Sequence, residues 1–265
     1  MRDPYAIYAK KILGLKKLDP IDQPAGAADR GSIIHKALEN FVRRYPQEMP
    51  ADEEGLRELL ELGRVAFGDL LEQPGVSSIW WPRFERAARW YIGWERERRQ
   101  EGVRVLAERC GSLTFKAPAG DFTLTAKADR IEMLPGGAAV IGDYKTGSPP
   151  SPKQVQQGFS PQLTLEGAIA LGGGFPGLTV TSLEELMFVA LKGGEEGGNE
   201  KPVKFDGMTT EQAVQQAYLR FQEFVAAYDN PDMPYVSKPH VLFQTSIGDY
   251  DHLARVKEWS SESGE

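Results

Sequence analysis

The chain has 265 residues, 41% apolar and 26% charged, with 28 Gly and 18 Pro, which supports a substantial core and excludes a disordered chain. Its formal net charge of -7 argues against gripping nucleic acid by overall charge, while leaving room for a small basic channel. One cysteine, Cys110, excludes an intramolecular disulfide framework and any cysteine-only zinc or iron-sulfur site.

No apolar run approaches the roughly 20 residues of a membrane span. The opening MRDPYAIYAK lacks the apolar centre of a secretion signal, so a soluble, cytoplasmic protein with no membrane partner is expected. The first 100 residues read as mainly helical. In GSIIHKALENFV, Ser32 stands where an N-cap belongs, and Ile34, Ala37, Leu38 and Phe41 recur at helical spacing with His35 beside them. Further helices are predicted from about Asp52 to Leu71 and from about Pro82 to Gln100.

The pattern then changes. VRVLAERCGSLTF and DFTLTAKADRIEML alternate with period two and are rich in Thr, Val and Phe, as antiparallel strands are. LPGG supplies a turn, and AAVIGDYK follows as a near-continuous apolar run, the pattern of a central strand covered on both faces. After the TGSPPSP loop, Ser160 and Pro161 match an N-cap and first helical proline, opening a helix QLTLEGAIAL that stops at GGG. LEELMFVALK is a further strand. The last long helix opens with a capping box, Thr209 with Gln212, and carries Val214, Ala217, Tyr218, Phe221, Val225 and Tyr228 on one face. The expected architecture is an α/β (α+β) fold in one compact domain. A helical part spans residues 1–100, a core of mixed sheet and flanking helices spans 101–230, and a tail, 231–265, packs back on it.

Chemistry concentrates at the end of AAVIGDYK. Residues two apart on a strand share a face, so Asp143 and Lys145 project together and Tyr144 the other way. Asp129 lies near the end of TLTAKADR, and the hairpin through LPGG brings it towards Asp143. Two carboxylates there repel unless a proton or a cation lies between them. A hard divalent ion resolves the conflict and keeps open positions for a phosphate and a water. Taken singly, these residues have plainer readings: a solvated strand end for DYKTG, a surface ion pair for Asp129 and Arg130, and a core-edge histidine for His35. Their fixed order along one chain is what points to a site.

These motifs resemble the PD-(D/E)xK nuclease superfamily, in its RecB-type exonuclease branch. GSIIHKALE matches the Gly-x-x-x-His helix, AKADRIE the Asp-bearing strand, GDYKTG the Asp-x-Lys strand, and PQLTLEGA the Gln-containing helix. The tail GDYDHLARVKEW extends the likeness to the C-terminal nuclease domains of AddB subunits, of the kind found in alphaproteobacterial AddAB helicase-nucleases. The resemblance implies a restriction-endonuclease-like core. It assigns Mg2+ or Mn2+ to His35, Asp129 and Asp143 with the Tyr144 carbonyl, and catalysis to Asp129, Asp143, Lys145 and Gln162. Glu108 stands at the position of an acid that reaches the metal through water in some relatives. Glu166 replaces the usual tyrosine four residues after Gln162, and reads as a solvated helix glutamate.

The implied activity is metal-dependent exonucleolytic hydrolysis of DNA during recombinational repair of double-strand breaks, on the strand ending 5′. A helicase delivers that strand, because no Walker motif occurs here. The implied partners are an AddA-type helicase-nuclease subunit and the remainder of AddB, which makes this chain a fragment. No iron-sulfur cluster is expected, since Asp3 occupies the position of the first cluster cysteine and the later ones are missing. Packing of Tyr5, Tyr8, Tyr235 and Phe243 is the expected substitute tie. Arg83, Arg86, Arg89 and Arg96 read as a solvated helix face balanced by Glu85, Glu95 and Glu97, or else as a DNA path. Trp80 and Trp81 read as core residues, or else as base-stacking platforms. The rival functions are a catalytically silent nuclease-like module that binds DNA or a partner, and an independent exonuclease of the same superfamily such as a CRISPR adaptation nuclease.

Overall fold

The computed structural model describes residues 3–18, 25–99, 102–239 and 248–260. In chain order the helices are α1 (Pro4–Ile7), α2 (Ala27–Arg44), α3 (Asp52–Phe67), α4 (Trp81–Arg98), α5 (Pro152–Gln156), α6 (Gln162–Leu171), α7 (Thr210–Tyr228) and α8 (Val256–Ser260). The strands are β1 (Arg104–Ala117), β2 (Gly120–Met133), β3 (Ala138–Lys145), β4 (Ser182–Ala190) and β5 (Asn199–Pro202). Two compact units are formed, 25–223 and, separately, 1–24 with 224–265. Among the described residues no helix is long and apolar enough to cross a membrane.

The larger unit is built on one five-stranded sheet in the order β1-β2-β3-β4-β5. The β1/β2, β2/β3 and β4/β5 pairs are antiparallel, and β3/β4 is parallel, so the sheet is mixed. A parallel pair cannot be joined by a tight turn, and the chain crosses from β3 to β4 through α5 and α6. The apolar run of β3 is explained by its central place. Val140 and Tyr144 pack with residues of α2, α3 and α4, while Ala139 and Ile141 pack with Leu163, Ala168 and Ile169 of α6. Covering both faces removes several aliphatic side chains from water, each contributing about 1.5–3 kcal/mol, and this makes β3 a rigid support.

Several boundaries differ from the sequence reading. α2 begins at Ala27, not after Ser32, because Asp29 Oδ2 accepts the Gly26 N–H at 2.7 Å and starts the helix more than a turn earlier. Ser32 lies inside the helix and donates to Ala28 O at 3.1 Å. α3 stops at Phe67 and tightens into a 3-10 turn over Gly68–Glu72, since Gly68 takes a positive φ of 51°. α6 starts at Gln162 with Pro161 as its N-cap residue, and no Ser160 side-chain cap forms. Within the expected TGSPPSP loop, Ser151 and Gln154 make a reciprocal cap and start α5. β5 is too short and polar to show in the pattern. The Thr209 and Gln212 capping box at the start of α7 is present, with bonds of 2.9 and 3.2 Å.

Arg130 is not where its plainer reading puts it, whereas the two tryptophans are. Arg130 is fully buried at 0% exposure and is no surface ion pair. Its guanidinium lies 2.7 Å from both Glu95 and Glu132 and over the Trp94 ring. Gly142 makes room for this, because a Cβ there would stand 3.3 Å from Arg130 Cδ and 3.1 Å from Met187 Cε. Trp80 and Trp81 are half-buried and pack against the α2/α3/α4 core, Trp81 donating to Glu85 at 2.9 Å.

In the smaller unit, Tyr5 and Tyr8 lie 6.3 Å apart between ring centroids and Tyr8 and Tyr235 lie 5.6 Å apart. The Tyr5 N–H donates to Val236 O, and Lys17 pairs with Asp249 at 3.0 Å. Phe243 lies outside the described residues.

Candidate metal centre

The β2/β3 ladder runs from Met133 opposite Ala139 to Arg130 opposite Gly142 and ends there. One residue further on, a side chain replaces the missing backbone partner: Asp129 Oδ2 accepts the Tyr144 N–H at 3.0 Å. Asp129 is thereby fixed against the end of β3. His35 comes in from α2, with Nδ1 3.4 Å from the same Oδ2. Tyr144 points to the opposite face, as the period of a strand requires, and its hydroxyl is 3.0 Å from that of Tyr91 and 3.2 Å from Arg130 Nη1.

Glu108 lies within β1. The β1/β2 register pairs Ala107 with Arg130 and Arg109 with Ala128 at a constant offset, which sets Glu108 across from Asp129 at the one position between them that forms no ladder pair. Glu108 has a positive φ of 53°, a left-handed conformation that costs a non-glycine residue about 1–2 kcal/mol. Its carboxylate forms an ion pair with Lys127. Ligand atoms of His35, Glu108 and Asp129 all lie within 4.8 Å of one another, the only such group of three or more His, Cys, Asp or Glu found among the described residues. With Gly31, Ser32, Lys36, Glu39 and Lys127 they line a cleft of about 560 Å³.

Asp143 and Lys145 share the other face of β3 as expected, with Lys145 Nζ 2.6 Å from Asp143 Oδ2. Asp143 is 1% exposed. Burial pushes its carboxyl upward and Asp129 adds to this, while Lys145 and His35 oppose it. Burial lowers the His35 imidazole, but the hydrogen bond and charge of Asp129, with Asp143 and the Tyr144 backbone, outweigh it and leave His35 raised. The Asp143 carboxylate therefore lies close enough to feel both Asp129 and His35, although it is not part of the tight three-residue group.

Gln162 and Glu166 sit one turn apart on α6, and Gln162 Nε2 donates to Glu166 Oε1 at 3.2 Å. The expectation of a solvated Glu166 fails: the side chain is 2% exposed, and Oε2 has no hydrogen-bond partner. Burial raises its pKa to about 8, opposed by Gln162 and reinforced by the charges of Asp143 and Asp129. The QLTLEG pattern hid this because α6 is packed nearly all round, with Leu163, Thr164, Gly167 and Ala168 buried as well.

One imidazole and hard carboxylate oxygens, set within one ion's reach, form a donor set that suits Mg2+ or Mn2+. His35, Glu108 and Asp129 would hold such an ion, and each must bind in its deprotonated form. Lys127, two residues before Asp129 on the same strand, was missed by the sequence reading; the period of two in KAD is the signal that could have found it. The arrangement as a whole defines a class: an α/β protein with a carboxylate cluster and an adjacent lysine at the end of its central strand.

The chain belongs to the PD-(D/E)XK nuclease superfamily, whose family model matches residues 2–240. It is 31% identical over 175 residues to an uncharacterized protein of Rickettsia bellii and 32% identical over 180 residues to one of Rickettsia felis. Each alignment covers 66% of this chain and 21% of the relative, so the chain spans about a fifth of the length of the curated relatives it matches. Among solved structures, SSO0001 aligns over 82% of this chain and 85% of its own at 11% identity, with a TM-score of 0.27 that carries no weight here.

Proposed function

We propose that this chain is a Mg2+- or Mn2+-dependent deoxyribonuclease that acts as an exonuclease on single strands. The observation that carries this reading is the convergence of His35, Glu108 and Asp129 within 4.8 Å, at the strand end where Lys145 stands 2.6 Å from Asp143. His35, Glu108 and Asp129 would hold a divalent ion there, which would supply polarisation of a phosphoryl oxygen and a more acidic bound water. The protein's own residues do the rest. The Tyr144 N–H holds Asp129 in place, and Asp143 holds the Lys145 ammonium at the same strand end. That ammonium stabilises negative charge growing on the phosphoryl group, in a setting where part of the surrounding water is already excluded. Gln162 is placed by its bond to Glu166 to support the same region. Attack is by water, with no covalent enzyme intermediate.

The motif order and the tail GDYDHLARVKEW support a narrower reading, a C-terminal nuclease module of the AddB kind working with an AddA-type helicase subunit in double-strand break repair. The relatives' greater length is compatible with such a module. The test is degradation of linear single-stranded DNA with Mn2+, comparing the wild-type chain with Asp129→Ala and Lys145→Met. Cleavage should vanish with Asp129→Ala. Lys145→Met should lower the rate by about 10²–10³-fold while Mn2+ binding by calorimetry persists. Equal cleavage by all three proteins would refute the site.

A further inference from the structure

A second cleft, of about 680 Å³, adjoins the metal centre and is lined by Arg30, Arg83, Arg86 and Lys192 with the loop Thr146–Ser148 and residues 193–195. We propose that it binds the phosphodiester backbone of a single DNA strand whose scissile bond lies at the carboxylates, an inference that rests on the nuclease reading above. Charge is the first argument. The cleft presents four cations against one carboxylate, Glu195, on a chain whose net charge is -7. None of the four makes an ion pair with a carboxylate among the described residues. Their neighbours on and just after α4 behave differently. Arg96 pairs with Asp52, Arg98 with Glu132, Glu185 and Glu200, and Arg99 with Glu95. The arginine row is thus divided, balanced at its C-terminal end and open at its N-terminal end. A concave surface of one sign concentrates its field and attracts a polyanion.

Construction is the second argument. The loop after β4 is pressed onto α4: Gly193 has a φ of 62°, and a Cβ there would lie 2.3 Å from Arg83 O, so only glycine fits. In return Arg86 Nε donates to Gly193 O at 2.9 Å and to Gly194 O at 3.2 Å, which fixes the guanidinium at the cleft wall. A pre-set guanidinium loses little entropy on meeting a phosphate.

Position is the third. The lining residues Thr146, Gly147 and Ser148 directly follow Lys145, and the Leu191 N–H, next to Lys192, donates to Lys145 O at 2.7 Å. Arg30 and Gly31 lie in the first turns of α2, and His35 follows on the same helix. A Cβ on Gly31 would meet Thr146 Oγ1 at 3.4 Å, so the start of α2 touches the loop leaving β3. A strand lying in this cleft reaches the metal centre across that contact. The N-terminal end of α2 adds its partial positive charge to the four side chains.

The test measures binding without cleavage. Anisotropy of a labelled oligodeoxythymidylate is followed in EDTA, from about 50 to 200 mM salt, for the wild-type chain, Arg83→Gln/Lys192→Gln, and Lys116→Gln as a remote control. The double variant should bind roughly tenfold more weakly at low salt and flatten the salt slope by about 1.4, since each single-strand phosphate contact contributes about 0.7. The control should match wild type. If the double variant has an altered urea midpoint, Arg30→Gln/Lys192→Gln replaces it with the same expectation. Unchanged affinity and slope, or no binding by wild type, would overturn the proposal. Cleavage in Mn2+ separates the two readings. A raised KM with kcat kept supports both, whereas binding that follows the cleft with no metal-dependent cleavage by wild type retains the cleft and removes the nuclease reading.

Discussion

Replacing Glu166 with Gln removes a carboxylate from the interior of α6 while nearly keeping its shape. The group is 2% exposed with Oε2 unpartnered, and its pKa rises from the ordinary 4.5 to about 8 on folding. Burial is the main cause; the Gln162 hydrogen bond opposes it, and the charges of Asp143 and Asp129 reinforce it. Because the folded-state pKa is the higher one, this group leaves stability intact below about pH 4.5 and erodes it as pH rises through about 8. A tenfold change in proton affinity is worth about 1.4 kcal/mol, so wild type carries a penalty of about 3 kcal/mol at pH 7 and about 5 kcal/mol above pH 8. Solvent screening does little to reduce this at so buried a position. Glutamine does not titrate. Glu166→Gln should therefore match wild type near pH 4.5 and become progressively more stable than it up to about pH 8, where the difference levels off. Urea unfolding of both proteins in metal-free buffer at about pH 5, 7 and 9 reads this directly. A difference that stays flat with pH, or that favours wild type at high pH, would show that the carboxylate is not held in the low-dielectric setting described.

Arg130→Met takes from buried Glu95 one of its two arginine partners, leaving Arg99, and should cost about 3 kcal/mol in urea unfolding; an unchanged midpoint would mean that the network around Glu95, Glu132 and Tyr144 contributes no net stability. Glu108→Gly releases the left-handed strain at φ 53° and should raise stability by about 1 kcal/mol while weakening Mn2+ binding in calorimetry. Loss of stability with metal affinity unchanged would contradict both halves of that expectation.

The sequence by itself determined the central strand and what it presents. A run as apolar as AAVIGDYK has to be covered on both faces, and the strand period then puts Asp143 and Lys145 on one side and Tyr144 on the other whatever the surroundings. The capping box at Thr209 and Gln212 was equally legible, because both partners lie within one helical turn. Only the tertiary structure decided the rest. Glu108 joins His35 and Asp129 because the β1/β2 register sets it across from Asp129, a property of two strands together, and because its backbone takes an angle no composition reveals. Arg130 reads as a surface charge until α4 lays Glu95, Tyr91 and Trp94 across it. Glu166 reads as a solvated position until packing closes over α6. The division of the arginine row depends on which carboxylates the sheet brings within reach, Glu132, Glu185 and Glu200 at one end and, among the described residues, none at the other. Local patterns fix direction along an element; burial and charge pairing belong to the elements that meet it, and those come from distant parts of the chain.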